Sequence, residues 1–192
     1  PLLILNSLPT KMRLSTVLLL VALTAIVCAT CVVGDAKSQR EKVAKYNARV
    51  GQKFLEEKSK EEGVTTLDSG VRYKVLEAGK GKKSPGPTDQ VKVHYQGTLI
   101  NGKEFDSSYS RGQPATFPVN GVIKGWTEIL QLMVEGDKFE VYIPSDKGYG
   151  ASGSGPKIGP NSTLVFKVEL LEILNGGGKK RQAPNKAQKE EL

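Results

Sequence analysis

The stretch from Val91 to Ser108, VKVHYQGTLINGKEFDSS, restricts the fold more than any other part of the chain. Val91, Val93 and Tyr95 alternate with polar residues, the two-residue period of a half-buried strand. Asn101–Gly102 is a turn pair in which both residues tolerate positive φ, and KEFDSS then reads as the returning strand. Neighbouring strands must therefore run antiparallel. VRYKV (Val71–Val75) and KFEVYI (Lys138–Ile143) alternate in the same way, the second with Phe139, Val141 and Ile143 inward. ATFPV is a short strand interrupted by Pro118. In LVFKVELLEI, Leu164, Phe166, Val168 and Leu170 share one face while Leu171 and Ile173 take the other, a parity change that predicts either a bulge or a strand end emerging from the sheet. Among these strands, Trp126, Ile129, Leu130 and Met133 fall at i, i+3, i+4 and i+7, which predicts a helix from near Gly125 to Gly136. One short helix among hairpin-linked strands gives an α+β fold over residues 64–174, a twisted antiparallel β-sheet wrapped around that helix.

A second helix is predicted ahead of this domain. Over residues 37–63, Val43, Tyr46, Val50 and Phe54 recur at helical spacing between charged residues; Gly51 weakens the helix and Gly63 ends it. Its narrow apolar stripe either docks on the main domain or pairs with a second copy as a homodimer. Residues 1–36 read differently. Met12 is the expected start, Lys11 and Arg13 supply positive charge, and Leu14 to Val33 is an uncharged run. This is a signal-peptide pattern with small residues at Gly34 and Ala36 for cleavage; left uncleaved, the run becomes a membrane anchor. The chain's two cysteines, Cys28 and Cys31, both lie inside the run, so the domain that follows has no disulfide and is held by packing alone. Residues 175–192 have no periodicity and read as a flexible basic tail ending in KEEL.

The net charge of +8 does not by itself indicate a nucleic-acid partner. Lys and Arg are mixed with Asp and Glu, and no basic block is interleaved with aromatics. There is no GxSxG, no phosphate-binding glycine loop and no Cys/His cluster, so the residues call for no metal or other cofactor. The one histidine, His94, faces away from Val93 and Tyr95 in its strand and reads as structural rather than as an acid–base group. Trp126, the one tryptophan, is open to two readings on spacing alone: plain core, or the floor of a pocket.

VHYQGTL, GKEFDSS, VIKGWTEILQLM, GYGASG and TLVFKVELL, in this order, together resemble the FKBP-type peptidyl-prolyl isomerases over about Leu67 to Ile173. The preceding helix and the export pattern look most like the Mip (macrophage infectivity potentiator) branch, with lumenal FKBPs as neighbours. The resemblance implies an apolar pocket lined by Tyr95, Phe105, Val122, Ile123, Trp126, Tyr149 and Phe166, with Phe117, Ile158 and Arg111 among its substrate-binding residues. Trp126 would be the floor under the proline ring. The Ile123 N–H and the Tyr149 hydroxyl would bind substrate carbonyls. Asp106, at the rim, would contact Arg111 and Tyr95; it is either a direct catalytic participant or a structural ion pair. Of these, Tyr95, Asp106, Trp126 and Tyr149 are the expected catalytic set.

Three positions depart from the family pattern. Ala115 stands where a bulky aromatic is frequent and would thin one wall. Lys157 replaces an apolar loop residue, and Gly159 a proline. The expected activity is peptidyl-prolyl isomerisation of secretory-pathway clients containing Xaa-Pro, with an altered preference before the proline and weakened binding of rapamycin- or tacrolimus-type macrolides. Two alternatives stay open: a non-catalytic module that binds proline segments or macrolides, and an exported isomerase acting outside the cell. KEEL resembles a retrieval signal and points to the endoplasmic reticulum lumen, with secretion as the other location. Asn161-Ser162-Thr163 is a glycosylation sequon, expected beside the pocket entrance.

Overall fold

The protein is described here from a computed structural model covering residues 37–174 and 179–180. The signal-like run, both cysteines and the KEEL terminus lie outside the described residues. Helix α1 spans 37–59. It begins in one compact unit, which ends at Lys42, and continues into a second from Val43 onward, to which everything below belongs. The strands are β1 (Val64–Thr66), β2 (Arg72–Glu77), β3 (Lys83–Ser84), β4 (Gln90–Leu99), β5 (Glu104–Ser107), β6 (Ala115–Pro118), β7 (Lys138–Ile143), β8 (Leu164–Ile173) and β9 (Lys179–Lys180). Helix α2 is Lys124–Leu130.

The main sheet is antiparallel in the order β1-β2-β7-β8-β4-β5, with β6 also on β4. β6 pairs with residues 90–93 of β4 and β5 with residues 96–98, so the two strands share one edge of β4 in succession. Between them the Ser108 N–H still donates to Tyr95 O of β4 at 2.9 Å, and residues 109–114 form the loop that carries Arg111. The parity change in β8 is a real irregularity: Lys92 pairs with Glu172 but Val93 with Leu170, which leaves Leu171 as the extra residue.

The inward faces supply the core. Val91, Val93, Val141, Leu164 and Leu170 are completely buried, and α2 adds Trp126, Ile129 and Leu130. Burial of this kind contributes about 1.5–3 kcal/mol per large apolar side chain. Met133 is also completely buried, but α2 ends at Leu130, short of the expected Gly136; a turn, not a third helical turn, carries Met133 inward. The hairpin after β4 forms as expected, yet only Gly102 takes a positive φ (+82°), and the Asn101 side chain instead accepts from the Lys103 N–H at 3.1 Å. Part of the expected tail is structured, since Lys179–Lys180 pairs with Lys83–Ser84.

The N-terminal helix stops at residue 59, before the expected Gly63, and its docked face differs from the expected stripe. Val43 and Tyr46 are exposed, whereas Gly51 and Leu55 are buried. Gly51 is the point of closest approach: a Cβ there would lie 2.2 Å from Thr163 Oγ1. Phe54 meets Tyr142 edge-on at 5.9 Å, and Lys58 Nζ lies 5.6 Å and 5.3 Å from the two ring centres. This helix covers the outward face of β7, which is why Tyr142, opposite in parity to Val141 and Ile143, is buried.

Candidate functional site

Where α2 meets the sheet, a cleft of about 710 Å³ opens. Trp126 enters it because α2 starts immediately before it: the Trp126 N–H donates to Ile123 O at 2.9 Å, which fixes the first turn. Three rings stand nearly perpendicular to the indole. Tyr95 lies 5.2 Å away at 86°, Phe166 5.2 Å away at 80° and Phe117 6.0 Å away at 90°. Phe105 in turn meets Phe166 edge-on at 5.5 Å. Edge-to-face pairs are worth about 0.5–1.5 kcal/mol each beyond their burial, so the arrangement is a stiff box. Trp126 keeps 5% of its surface exposed and lines the cleft, so what it retains is the bottom of the opening. Both readings of Trp126 hold together: it is core on one side and floor on the other.

The walls stand this close because β4 has a glycine at position 97. A Cβ there would lie 2.6 Å from the Phe105 ring and 2.8 Å from the Phe166 ring. Gly97 was not among the expected site residues. A lone glycine inside an alternating strand was the available signal, since it marks close approach of a neighbour.

The remaining expected residues fall as follows. Val122, Ile123, Tyr149 and Ile158 line the cleft with Asp106. Arg111 is not part of the lining and acts on it through others. The Asp106 carboxylate accepts from the Tyr95 hydroxyl and from Arg111, and Arg111 Nη2 donates to the Tyr95 hydroxyl at 2.8 Å. Burial alone would push the Asp106 carboxyl up, but the hydrogen bonds from Tyr95 and Arg111, with the Arg111 charge, outweigh it and hold the group below the usual carboxylate range. Burial and the Asp106 hydrogen bond push the Tyr95 phenol up. Its hydroxyl is occupied both as donor and as acceptor, so Tyr95 offers the cleft its ring. Burial, with the Asp106 charge, also pushes the Tyr149 phenol up. The half-buried Ile123 N–H donates to no acceptor among the described residues.

Ala115, Asn161 and Lys157 occupy different places around the cleft, and Asn161 departs from its expected one. Ala115 packs against the core from β6 and does not line the cleft, which Phe117 of the same strand does line. Asn161 faces helix α1, where its Nδ2 donates to Ala44 O at 3.4 Å, and it does not line the cleft. A glycan there would lie against the helix, not across the entrance, and the sequon's Thr163 is buried. Lys157, anticipated only as a departure in the covering loop, lines the cleft and donates from Nζ to Phe105 O at 2.9 Å. His94 is structural: Nδ1 lies 2.9 Å from Ser108 Oγ, and the ring stacks on Tyr109 at 4.6 Å.

Residues 81–171 match the family model described as FKBP-type peptidyl-prolyl cis-trans isomerase, and residues 22–75 match the model for the domain amino terminal to it. The chain is 46% identical to the macrophage infectivity potentiator of Trypanosoma cruzi, over 81% of this chain and 79% of that protein. It is 55% identical to the FKBP-type 22 kDa peptidyl-prolyl cis-trans isomerase of Escherichia coli K12, over 66% of this chain but 61% of that one. The crystal structure of FkpA from Escherichia coli superposes with a TM-score of 0.70 at 44% identity, covering 87% of this chain and 74% of that one.

Proposed function

This chain belongs to the FKBP-type peptidyl-prolyl cis-trans isomerases, and from that premise we propose that the Trp126 cleft is where it rotates an Xaa-Pro bond. Such a bond is held planar by resonance, with a barrier of about 18–20 kcal/mol. The planar form separates charge between O and N; the twisted transition state loses that separation. A water-poor aromatic box therefore disfavours the planar form relative to the twisted one, and each ~1.4 kcal/mol removed from the barrier speeds the step tenfold. No covalent bond breaks, so neither a nucleophile nor a proton shuttle is required.

In this reading the proline ring lies on Trp126 between Tyr95, Phe117 and Phe166. The unpaired Ile123 N–H and the Tyr149 hydroxyl donate to substrate carbonyls. Asp106, kept anionic by Arg111, faces the twisting carbonyl from the rim, and Tyr95 is a wall whose angle the Asp106–Arg111 pair sets. The single observation that carries the proposal is the indole at the bottom of an open cleft with three rings perpendicular to it. The test is acceleration of Leu-Pro peptide isomerisation by the full chain. Tyr149→Phe and Asp106→Ala should lower turnover more than affinity; equal loss of both indicates a binding module instead.

The clients we propose are proline-containing segments of secretory-pathway proteins, whose uncatalysed isomerisation takes tens to hundreds of seconds. Macrolides of the rapamycin class are proposed as competing ligands of the same cleft. The charged-then-apolar run from Met12 to Val33 and the tetrapeptide KEEL support an endoplasmic-reticulum location; recovery of a tagged fusion from the medium would overturn it. The exposed Val43 and Tyr46 on α1 support a homodimer through that helix, and sedimentation of a Tyr46→Glu variant unchanged from the parent would dispose of it.

A further inference from the structure

The mouth of the cleft carries two charged side chains, Asp106 and Lys157. They are not equivalent. Asp106 is bonded to both Tyr95 and Arg111, and the Arg111 charge offsets its own. Lys157 Nζ donates to the neutral Phe105 carbonyl, and no carboxylate among the described residues pairs with it. A cation therefore sits uncompensated at the opening, with two further donors on Nζ. Its position is fixed from both ends. Ser154 and Ile158 exchange backbone hydrogen bonds at 2.9 Å and 3.2 Å, closing the loop that presents Lys157, and buried Ile158 anchors it. The side chain then reaches across to the residue immediately before Asp106.

We propose that Lys157 is a specificity-determining residue of this isomerase, whose ammonium group favours an acidic side chain on the residue preceding the substrate proline. The inference rests on the reading of the cleft given above, which puts that residue's carbonyl beside Asp106 and hence its side chain near the Phe105–Lys157 bond. Attraction between exposed charges is modest and screened by salt, so the preference is largest at low ionic strength.

The test is kcat/KM of the full chain on matched Glu-Pro, Gln-Pro and Leu-Pro peptides, at about 10 mM and about 500 mM salt, a range that spans the change in Debye length. Glu and Gln share shape, so their ratio isolates charge. The expected Glu/Gln ratio is about threefold at low salt, the size of an exposed ion pair. It should collapse toward one at high salt and in Lys157→Met, and return in Lys157→Arg. A ratio of one in the parent, or a ratio unchanged in Lys157→Met, overturns the proposal. So does a uniform slowing of all three peptides in Lys157→Met, because Lys157 would then be a strap only. No acceleration of any peptide removes the reading of the cleft itself, and this inference with it.

Discussion

Replacing Gly51 by Ala reverses sign depending on what faces it. In a helix interior that exchange ordinarily stabilises by about 0.5–1 kcal/mol, because glycine surrenders more backbone freedom on folding. Here the new Cβ would lie 2.2 Å from Thr163 Oγ1 and 3.1 Å from Thr163 Cβ, against an ordinary contact of 3.4–4 Å. The helix must back away by roughly 1 Å, or the buried, β-branched Thr163 must leave its rotamer. Overpacking of this kind costs about 1–3 kcal/mol, which outweighs the propensity gain and leaves a net loss of about 1–2 kcal/mol. Thr163→Ala removes the 2.2 Å contact and leaves the one at 3.1 Å. In that background Gly51→Ala should be neutral or stabilising, giving an interaction energy of about 1–2 kcal/mol between the two sites. Urea unfolding followed by circular dichroism on the four proteins of the cycle measures it. If Gly51→Ala stabilises equally in both backgrounds, α1 does not dock where described.

Gly97→Ala should damage the site more than the fold: its Cβ would collide with Phe105 and Phe166, so kcat/KM should fall at least tenfold while stability drops by about 1–3 kcal/mol. A kcat/KM equal to that of the parent would contradict this. Arg111→Leu removes the charge and one of the hydrogen bonds that hold the Asp106 carboxyl low, so its titration should move up, visible by NMR of the carboxyl carbon. In the parent protein kcat/KM should be flat from about pH 5.5 to 8.5, because Asp106 stays ionised and the two phenols stay protonated. The folded Asp106 carboxyl lies below its ordinary 3.8. Its stabilising contribution is therefore complete above that value and lost only as pH falls through the lowered one. A bell centred near neutrality would show a titrating group that the site does not provide.

What could be read from the sequence divides along a physical line. Alternation in β4, β7 and β8 reports which side of a strand is buried, so the inward set and the bulge at Leu171 were legible from parity. Parity does not report a partner on the other face. Tyr142 read as outward, and its burial depends on Phe54 arriving from a helix distant in sequence. The same gap affects Gly51, which weakens an isolated helix but is required in a docked one. The period of Trp126, Ile129, Leu130 and Met133 located α2 and overstated its length, because a turn can bury Met133 as well as a helix can. In the site, the aromatic floor and walls and the Tyr95–Asp106–Arg111 contacts followed from motif resemblance, not from spacing. Lys157 and Asn161 depend on the path of an irregular loop with no period, and only coordinates show that one reaches the cleft and the other turns to α1.

The chain's one tryptophan, already in the floor of the cleft, reports occupancy and can be read beside catalysis. Trp126 emission and the isomerisation rate of a Leu-Pro peptide are followed in parallel as the cleft is titrated with a macrolide competitor. Emission change and loss of catalysis should reach half-completion at the same competitor concentration. Catalysis that persists after the emission change is complete would place the rotating bond somewhere other than above Trp126.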